Sequence, residues 1–388
     1  MKISESMKAG LARAGQAGRG APDRVPVLAQ INEHARKLSG CHPREYYTDA
    51  GLFFKHQLAV SEYYGIDFPA SEYYDMYNIE LEALGQPLRW FDEMPPEVDH
   101  TRRLINNPRD IDRLSPPDPK KSGRMPFVLE LKKRALDSGF RPGVRFCAPI
   151  SLAVNLCGME NLIMGLMTDQ AAFHRLFTFL TDEVLSPWIY EQRRLLGQDL
   201  EAMGADAYAS PPNMNLDILR EFGLAYIKRL RDNIGRVSAR GWWGERFFAG
   251  DRGKLREFMD LKLQLSPSYY GAFDPDPQAL GVDMFRRFTE ERDVPLMVGI
   301  DAVLLFEGPV EAIAGRVRDY IRAGAHGGRF MLFLNEVPKD APPAHVHAAV
   351  QAARYYGLYP QLDEVPDGRP FTPAERESYA DFEAGYFG

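Results

Sequence analysis

The stretch Arg236–Glu245 reads RVSARGWWGE, a short strand that ends by presenting two indoles, a glycine and a carboxylate. That grouping describes the rim of a pocket. Successive strand residues face opposite ways, so one of Trp242 and Trp243 is expected to line a site and the other to pack a core layer beneath a helix. An aromatic wall suits a flat apolar ligand, because stacking and burial give binding without charge. Other short segments also finish on polar or aromatic groups: Gln30-Ile31-Asn32, Tyr208-Ala209-Ser210-Pro211, Tyr269-Tyr270-Gly271-Ala272-Phe273-Asp274 and Leu334-Asn335-Glu336. The candidate substrate contacts are Asn32, Tyr208, Trp242, Trp243, Tyr270 and Asn335. The candidate proton-transfer groups are Glu245, His34 and Glu336.

Each of these competes with a plainer role. Glu245 also reads as a helix N-terminal carboxylate or an ion-pair partner of Arg246 or Arg252, and His34 as a satisfied structural histidine. Asp274 and Asp276, separated by Pro275, read as a turn and a helix cap. His345 and His347 lie two apart at a helix start and so face different sides, which argues against a shared metal. Cys41 and His42 are adjacent, an awkward arrangement for joint ligands.

The elements that must position these groups follow from length and pattern. At 388 residues the chain suits one α/β barrel with insertions. Hydrophobic residues at 45% and charged residues at 26% are ordinary for a globular protein. No apolar run reaches the eighteen or so residues of a membrane span. The opening MKISESMKAGLARAGQ is charged and lacks a signal-peptide core, which predicts a cytoplasmic protein. Three cysteines, Cys41, Cys147 and Cys157, are too scattered for a disulfide framework. A formal charge of −7 gives no field that would collect nucleic acid.

The expected order begins with a helical segment over 1–21 and a first strand near Val25–Ala29. A helix from about Pro43 to Tyr64 and an extended segment at Gly65–Pro69 come next. An irregular insertion over 70–125 follows, expected to cover the barrel's C-terminal face. Regular alternation then sets in, with strands at Gly143–Pro149, Ala205–Ser210, Val237–Trp243, Ser268–Phe273, Leu296–Ile300 and Phe330–Leu334. About eight strands joined by helices predict a single (β/α)8 TIM-type barrel over 22–360. An open doubly wound sheet is disfavoured, since no G-x-G-x-x-G follows the first strand. The segment 361–388 carries Phe371, Tyr379, Phe382, Tyr386 and Phe387, too many aromatics for a free tail, so it is expected to dock on the barrel or on a second subunit of a homodimer.

In order and spacing these segments resemble the uroporphyrinogen decarboxylase superfamily, in its corrinoid-linked methyltransferase branch. The resemblance rests on Pro22-Asp23-Arg24-Val25-Pro26-Val27, Tyr64-Gly65-Ile66-Asp67, Glu80-Leu81-Glu82-Ala83-Leu84-Gly85, Ala148-Pro149 with Asn155-Leu156-Cys157-Gly158, Met203-Gly204-Ala205-Asp206 and Tyr355-Tyr356-Gly357. It implies a barrel with a funnel-shaped site at the carboxyl ends of its strands. Two departures narrow what it implies. The decarboxylases carry an arginine-rich first loop and a late G-H-G, whereas this chain has Gln30-Ile31-Asn32-Glu33-His34-Ala35-Arg36 and Leu334-Asn335-Glu336-Val337. The thiol-activating methyltransferases hold zinc through H-x-C and a late cysteine, and the matching positions here are Gly241, Trp243 and Asn335. No metal is therefore expected.

The resemblance and the aromatic rim together imply a methyltransferase of O-demethylase type. Its substrate would be a small methoxylated aromatic, and the methyl would pass to cobalamin on a separate corrinoid protein, because the chain has no D-x-H-x-x-G corrinoid motif of its own. Opening an aryl methyl ether requires that the departing phenolate be protonated or held by a donor. Glu245 is the first candidate, with Glu336, His34 and Tyr208 behind it. Two alternatives stand beside this reading: a decarboxylase or lyase in which Arg36, Arg145 or Arg240 clamps a carboxylate, and a non-catalytic binding subunit.

Overall fold

The computed structural model describes residues 2–68, 76–362 and 371–387. In chain order the strands are β1 (Val27–Ala29), β2 (Leu88–Arg89), β3 (Glu97–Val98), β4 (Val144–Cys147), β5 (Ala202–Ala205), β6 (Val237–Arg240), β7 (Tyr270–Phe273), β8 (Leu296–Ile300) and β9 (Phe330–Leu334). Apart from the antiparallel β2–β3 pair they are parallel and joined through helices. They fall in two compact units, one of Met1–Cys41, Leu52–Tyr73 and Pro267–Gly388, the other of His42–Gly51 and Tyr74–Ser266. Among the described residues no single helix is long and apolar enough to cross a membrane.

The first unit holds a sheet in the order β1, β9, β8, β7. Every residue of β7, β8 and β9 is buried, as expected of parallel strands covered on both faces. Side chains still alternate. Tyr270 packs against Phe285 and Phe288 of the helix Val282–Glu291, with centroids at 6.1 and 5.1 Å, while Phe273 takes the opposite face beside Phe333 at 5.6 Å. Gly271 and Gly299 make room for it, since a Cβ on either would press on the Phe273 ring. The helix Val310–Gly324 turns Ile313, Val317 and Ile321 inward, and the helix Pro343–Tyr356 turns in Val346 and Val350. Each such buried side chain contributes about 1.5–3 kcal/mol. The helix Tyr379–Phe387 sets Tyr379 and Phe382 on Tyr63, with centroids at 5.4 and 5.3 Å, and Phe371 lies 5.6 Å from Tyr355.

The second unit holds β4, β5 and β6 side by side. Among the described residues the outer edge of β4 is met by side chains. Gln192 accepts from the Arg145 N–H at 3.0 Å and donates to its carbonyl at 2.8 Å, and Glu80 Oε1 accepts from the Cys147 N–H at 2.9 Å. Buried backbone groups need partners, and these two residues supply them.

Several expected boundaries shift. The Pro43–Tyr64 helix is split into Pro43–Tyr46 and Ala50–Tyr64. Gly65–Phe68 turns instead of extending, because Gly65 takes a left-handed φ of 68°, and Pro69 lies outside the described residues. Seven parallel strands are thus present among the described residues. The stretch expected to be irregular contains the helix Met76–Ala83 and the β2–β3 pair. The strand expected at Ala205–Ser210 is Ala202–Ala205, and the one expected to reach Trp243 ends at Arg240, where Gly241 takes a φ of 101°. Asp169 caps the helix Gln170–Phe179, and the helical run continues through Ser186-Pro187 because a wide turn over Leu180–Leu185 absorbs proline's missing N–H.

Candidate active site

In the second unit β4, β5 and β6 end in register, Cys147 opposite Ala205 and Ala205 opposite Arg240. The residues that follow leave the sheet along one edge, and Asp206 ties them together. Its N–H donates to the Arg240 carbonyl at 2.7 Å, its Oδ1 accepts from the Ser151 N–H at 2.9 Å, and its Oδ2 accepts from the Trp242 indole N–H at 3.1 Å. Ser151 lies in the first turn of the helix Pro149–Cys157, an end that favours negative charge. Burial raises the Asp206 carboxyl to about 6, and the Trp242 and Ser151 donors hold it from rising further.

The two indoles separate just past the end of β6. Trp242 is fully buried, packed over Gly223 and Ile150. Trp243 is half-buried, with its backbone N–H donating to Ser210 Oγ at 3.0 Å, and Ser210 in turn donating to the Gly241 carbonyl at 2.9 Å. Its indole N–H has no partner among the described residues. An unmatched buried donor costs about 1–3 kcal/mol, and a ligand acceptor would recover that. Gly241 is needed where it stands, because a Cβ there would lie 3.0 Å from the Ala207 nitrogen.

Tyr208 is 40% exposed, and its N–H donates to Ser151 Oγ at 3.2 Å. Its ring stands edge-on to Tyr77, with centroids 6.5 Å apart. Burial raises both phenols, helped by Cys147 at each, so both remain protonated donors at neutral pH. Glu245 is fully buried at the start of the turn Glu245–Phe248, with its Oε1 2.5 Å from Lys262 Nζ. It pairs with Lys262, a partner that the expectation of Arg246 or Arg252 did not include.

The first unit positions the other candidates. His34 is fully buried, with Nδ1 3.0 Å from the Pro338 carbonyl and Nε2 2.7 Å from the Tyr64 hydroxyl. A carbonyl only accepts, so Nδ1 carries the proton and Nε2 takes the phenol's. Burial lowers the His34 pKa to about 4, and the ring is a neutral, satisfied group. Asn32 is buried with its Oδ1 3.4 Å from Gln57 Nε2. Tyr270 lies under its helix, so Phe273 is the β7 aromatic on the other face of the sheet. Asn335 follows β9, half-buried, its N–H donating to the Ile300 carbonyl at 3.0 Å. Glu336 has a φ of 63°, uncommon for a residue with a side chain. It keeps contact with solvent, yet crowding by protein raises its carboxyl to about 7, with a smaller push from Glu33.

Gly241, Trp243 and Asn335, which the resemblance sets at zinc positions, do not suit that metal. Glycine has no side chain, an indole offers only N–H, and a lone amide is a poor zinc ligand. Among the described residues no group of three His, Cys, Asp or Glu side chains is placed to hold an ion.

A parallel α/β chain with its polar and aromatic groups gathered at strand carboxyl ends has the organisation of a (β/α)8 enzyme. Residues 16–356 match the family Uroporphyrinogen decarboxylase (URO-D), and the chain belongs to that family. Within it the chain is similar to methyltransferases. It is 28% identical over 302 residues to a methylated-thiol–coenzyme M methyltransferase of Methanosarcina mazei, covering 75% of this chain and 73% of that protein. It shares its fold with a solved methyltransferase from Methanosarcina mazei, with a TM-score of 0.67 and 18% identity over 89% of this chain and 98% of that one. The fold class is accordingly the family's α/β barrel.

Sequence reasoning did not single out Tyr77, Ser151 or Ser210, and it noted Asp206 only as part of a family motif. An aspartate one residue past a strand, beside a buried tryptophan, was the available signal.

Proposed function

We propose that the protein is a substrate-side methyltransferase that takes the methyl group from a small methoxylated aromatic and gives it to the corrinoid of a separate protein. The observation that carries this reading is Trp243, a half-open indole with an unmatched N–H, held at a strand end by Ser210. The methyltransferase relatives support the reaction class, and the residues at the zinc positions argue against activation of a thiol acceptor by this chain. The methoxybenzene ring lies against Trp243. As the methyl carbon leaves, the C–O electron pair stays on oxygen and the resulting phenolate takes a proton. The reduced corrinoid supplies the electron pair of the new carbon–metal bond. Tyr208 is the donor toward the leaving oxygen, because burial raises its phenol and so keeps it protonated.

The test is incubation with reduced cobalamin, with and without corrinoid proteins, across a panel of methoxybenzenes, methylated thiols and aromatic acids. Phenol release matched by corrinoid methylation supports the reading. Methylation from thiols alone, or carbon dioxide release without corrinoid, overturns it. The decarboxylase reading has lost one of its three arginine clamps, since Arg36 is engaged by Glu33 and by the Cys41 carbonyl, each at 2.9 Å.

A further inference from the structure

A second polar cavity lies within the first unit at the amino end of β1, the opposite end of that strand from Asn32. It has a volume of about 210 Å³ and is lined by Ser6, Ala9, Arg13, Arg24, Asp67 and Arg354, with Gly65 and Ile66. Three guanidinium groups therefore surround one carboxylate. Asp67 has no acceptor capacity to spare. Its Oδ1 takes Arg13 Nη1 at 2.7 Å and Arg24 Nη2 at 2.8 Å, and its Oδ2 takes Arg24 Nη1 at 2.7 Å and the Val27 N–H at 2.9 Å. Arg13 spends its remaining fork on Asp23, with Nε at 2.6 Å and Nη2 at 2.8 Å.

Among the described residues no carboxylate pairs with Arg354. It donates from Nη2 to the Gly65 carbonyl, while its Nε is buried with no partner among the described residues. Gly65 admits it, because a Cβ at that left-handed position would collide with the guanidinium. Burial lowers the Arg354 pKa, and the charges of Arg24, Arg376 and Arg13 add to the effect, while Asp67 opposes it. An uncompensated guanidinium in a polar cavity, flanked by two more, is a host for an oxyanion, whose geometry an arginine fork matches.

We propose that this cavity binds a tetrahedral oxyanion, either free phosphate or the phosphoryl group of a small ester, with Arg354 as its principal ligand. None of its lining residues is used in the methyl-transfer reading, so the inference stands apart from that reading. The test is binding by titration calorimetry at constant ionic strength, with inorganic phosphate and glycerol phosphate as probes and chloride as the control. Saturable phosphate binding is expected, weakened at least tenfold in Arg354→Ala. Should that variant fold poorly, Ala9→Glu places a carboxylate from the exposed face of the first helix beside Arg354 and is expected to abolish binding while leaving methyl transfer unchanged. Tighter binding of glycerol phosphate than of phosphate identifies an ester as the ligand, and the reverse identifies free phosphate. No binding beyond the chloride control, or equal binding in wild type and both variants, overturns the proposal.

Discussion

The Asp206 carboxylate accepts the indole N–H of Trp242 at 3.1 Å and so fixes the loop from which the neighbouring Trp243 projects. The two tryptophans are adjacent in sequence but differ in environment, one sealed in the core and one half-open at the strand end. Substitutions at the two positions should therefore fail in different ways.

Trp242→Phe removes the donor to Asp206 and leaves a gap over Gly223. It should cost about 1–3 kcal/mol of stability, read as a fall in denaturant midpoint. Trp243→Phe should leave the midpoint nearly unchanged, and Trp243→Ala should weaken aromatic binding by roughly 0.5–1.5 kcal/mol beyond the contact area lost. Equal stability losses at both positions would contradict the assignment of Trp243 to the site.

Glu245→Gln leaves Lys262 buried against a neutral amide. Breaking such a pair costs about 3–5 kcal/mol, and replacing both charges should recover most of it. Glu245→Gln should therefore unfold early while keeping its turnover per folded molecule, and Glu245→Gln with Lys262→Met should be more stable than the single variant. A stable Glu245→Gln protein with turnover reduced a hundredfold would return Glu245 to the mechanism.

His34 makes one contribution of definite sign to the pH dependence of stability. Its folded pKa of about 4 lies below its ordinary value, so between the two the unfolded chain binds a proton that the folded chain refuses. Stability is then lost as pH falls from about 6.5 toward 4, by roughly 3 kcal/mol at most. Asp206 and Glu336 oppose this, since carboxyls raised to about 6 and 7 favour the fold at low pH and lose that contribution as pH rises through those values. His34→Gln should flatten the acid limb of a melting-temperature profile between pH 4 and 7, and an unchanged limb would show that His34 is not its source.

The donor role of Tyr208 is read by kinetics. Tyr208→Phe should lower turnover by about two to four orders of magnitude with little change in binding, since only the hydroxyl is lost. A Tyr208→Phe protein with undiminished turnover would remove Tyr208 from the mechanism.

The sequence carried the alternation of helix and strand, because that depends on local periodicity. It did not carry what depends on distant partners. Asp206 meets Ser151 and Trp242 across 55 and 36 residues, and Glu245 meets Lys262 across 17. Tyr77 was missed because its helix, Met76–Ala83, is only eight residues long and sits in a stretch rich in proline and aspartate, where no period builds up.

The most direct measurement follows the methyl group itself. With a methoxybenzene labelled with carbon-13 at the methyl, the wild-type protein should move the label to the reduced corrinoid in step with phenol release, and Trp243→Ala should do so at a markedly lower rate at subsaturating substrate. Label that stays on the ether across the whole methoxybenzene panel, while a methylated thiol donates its methyl under the same conditions, would contradict the account.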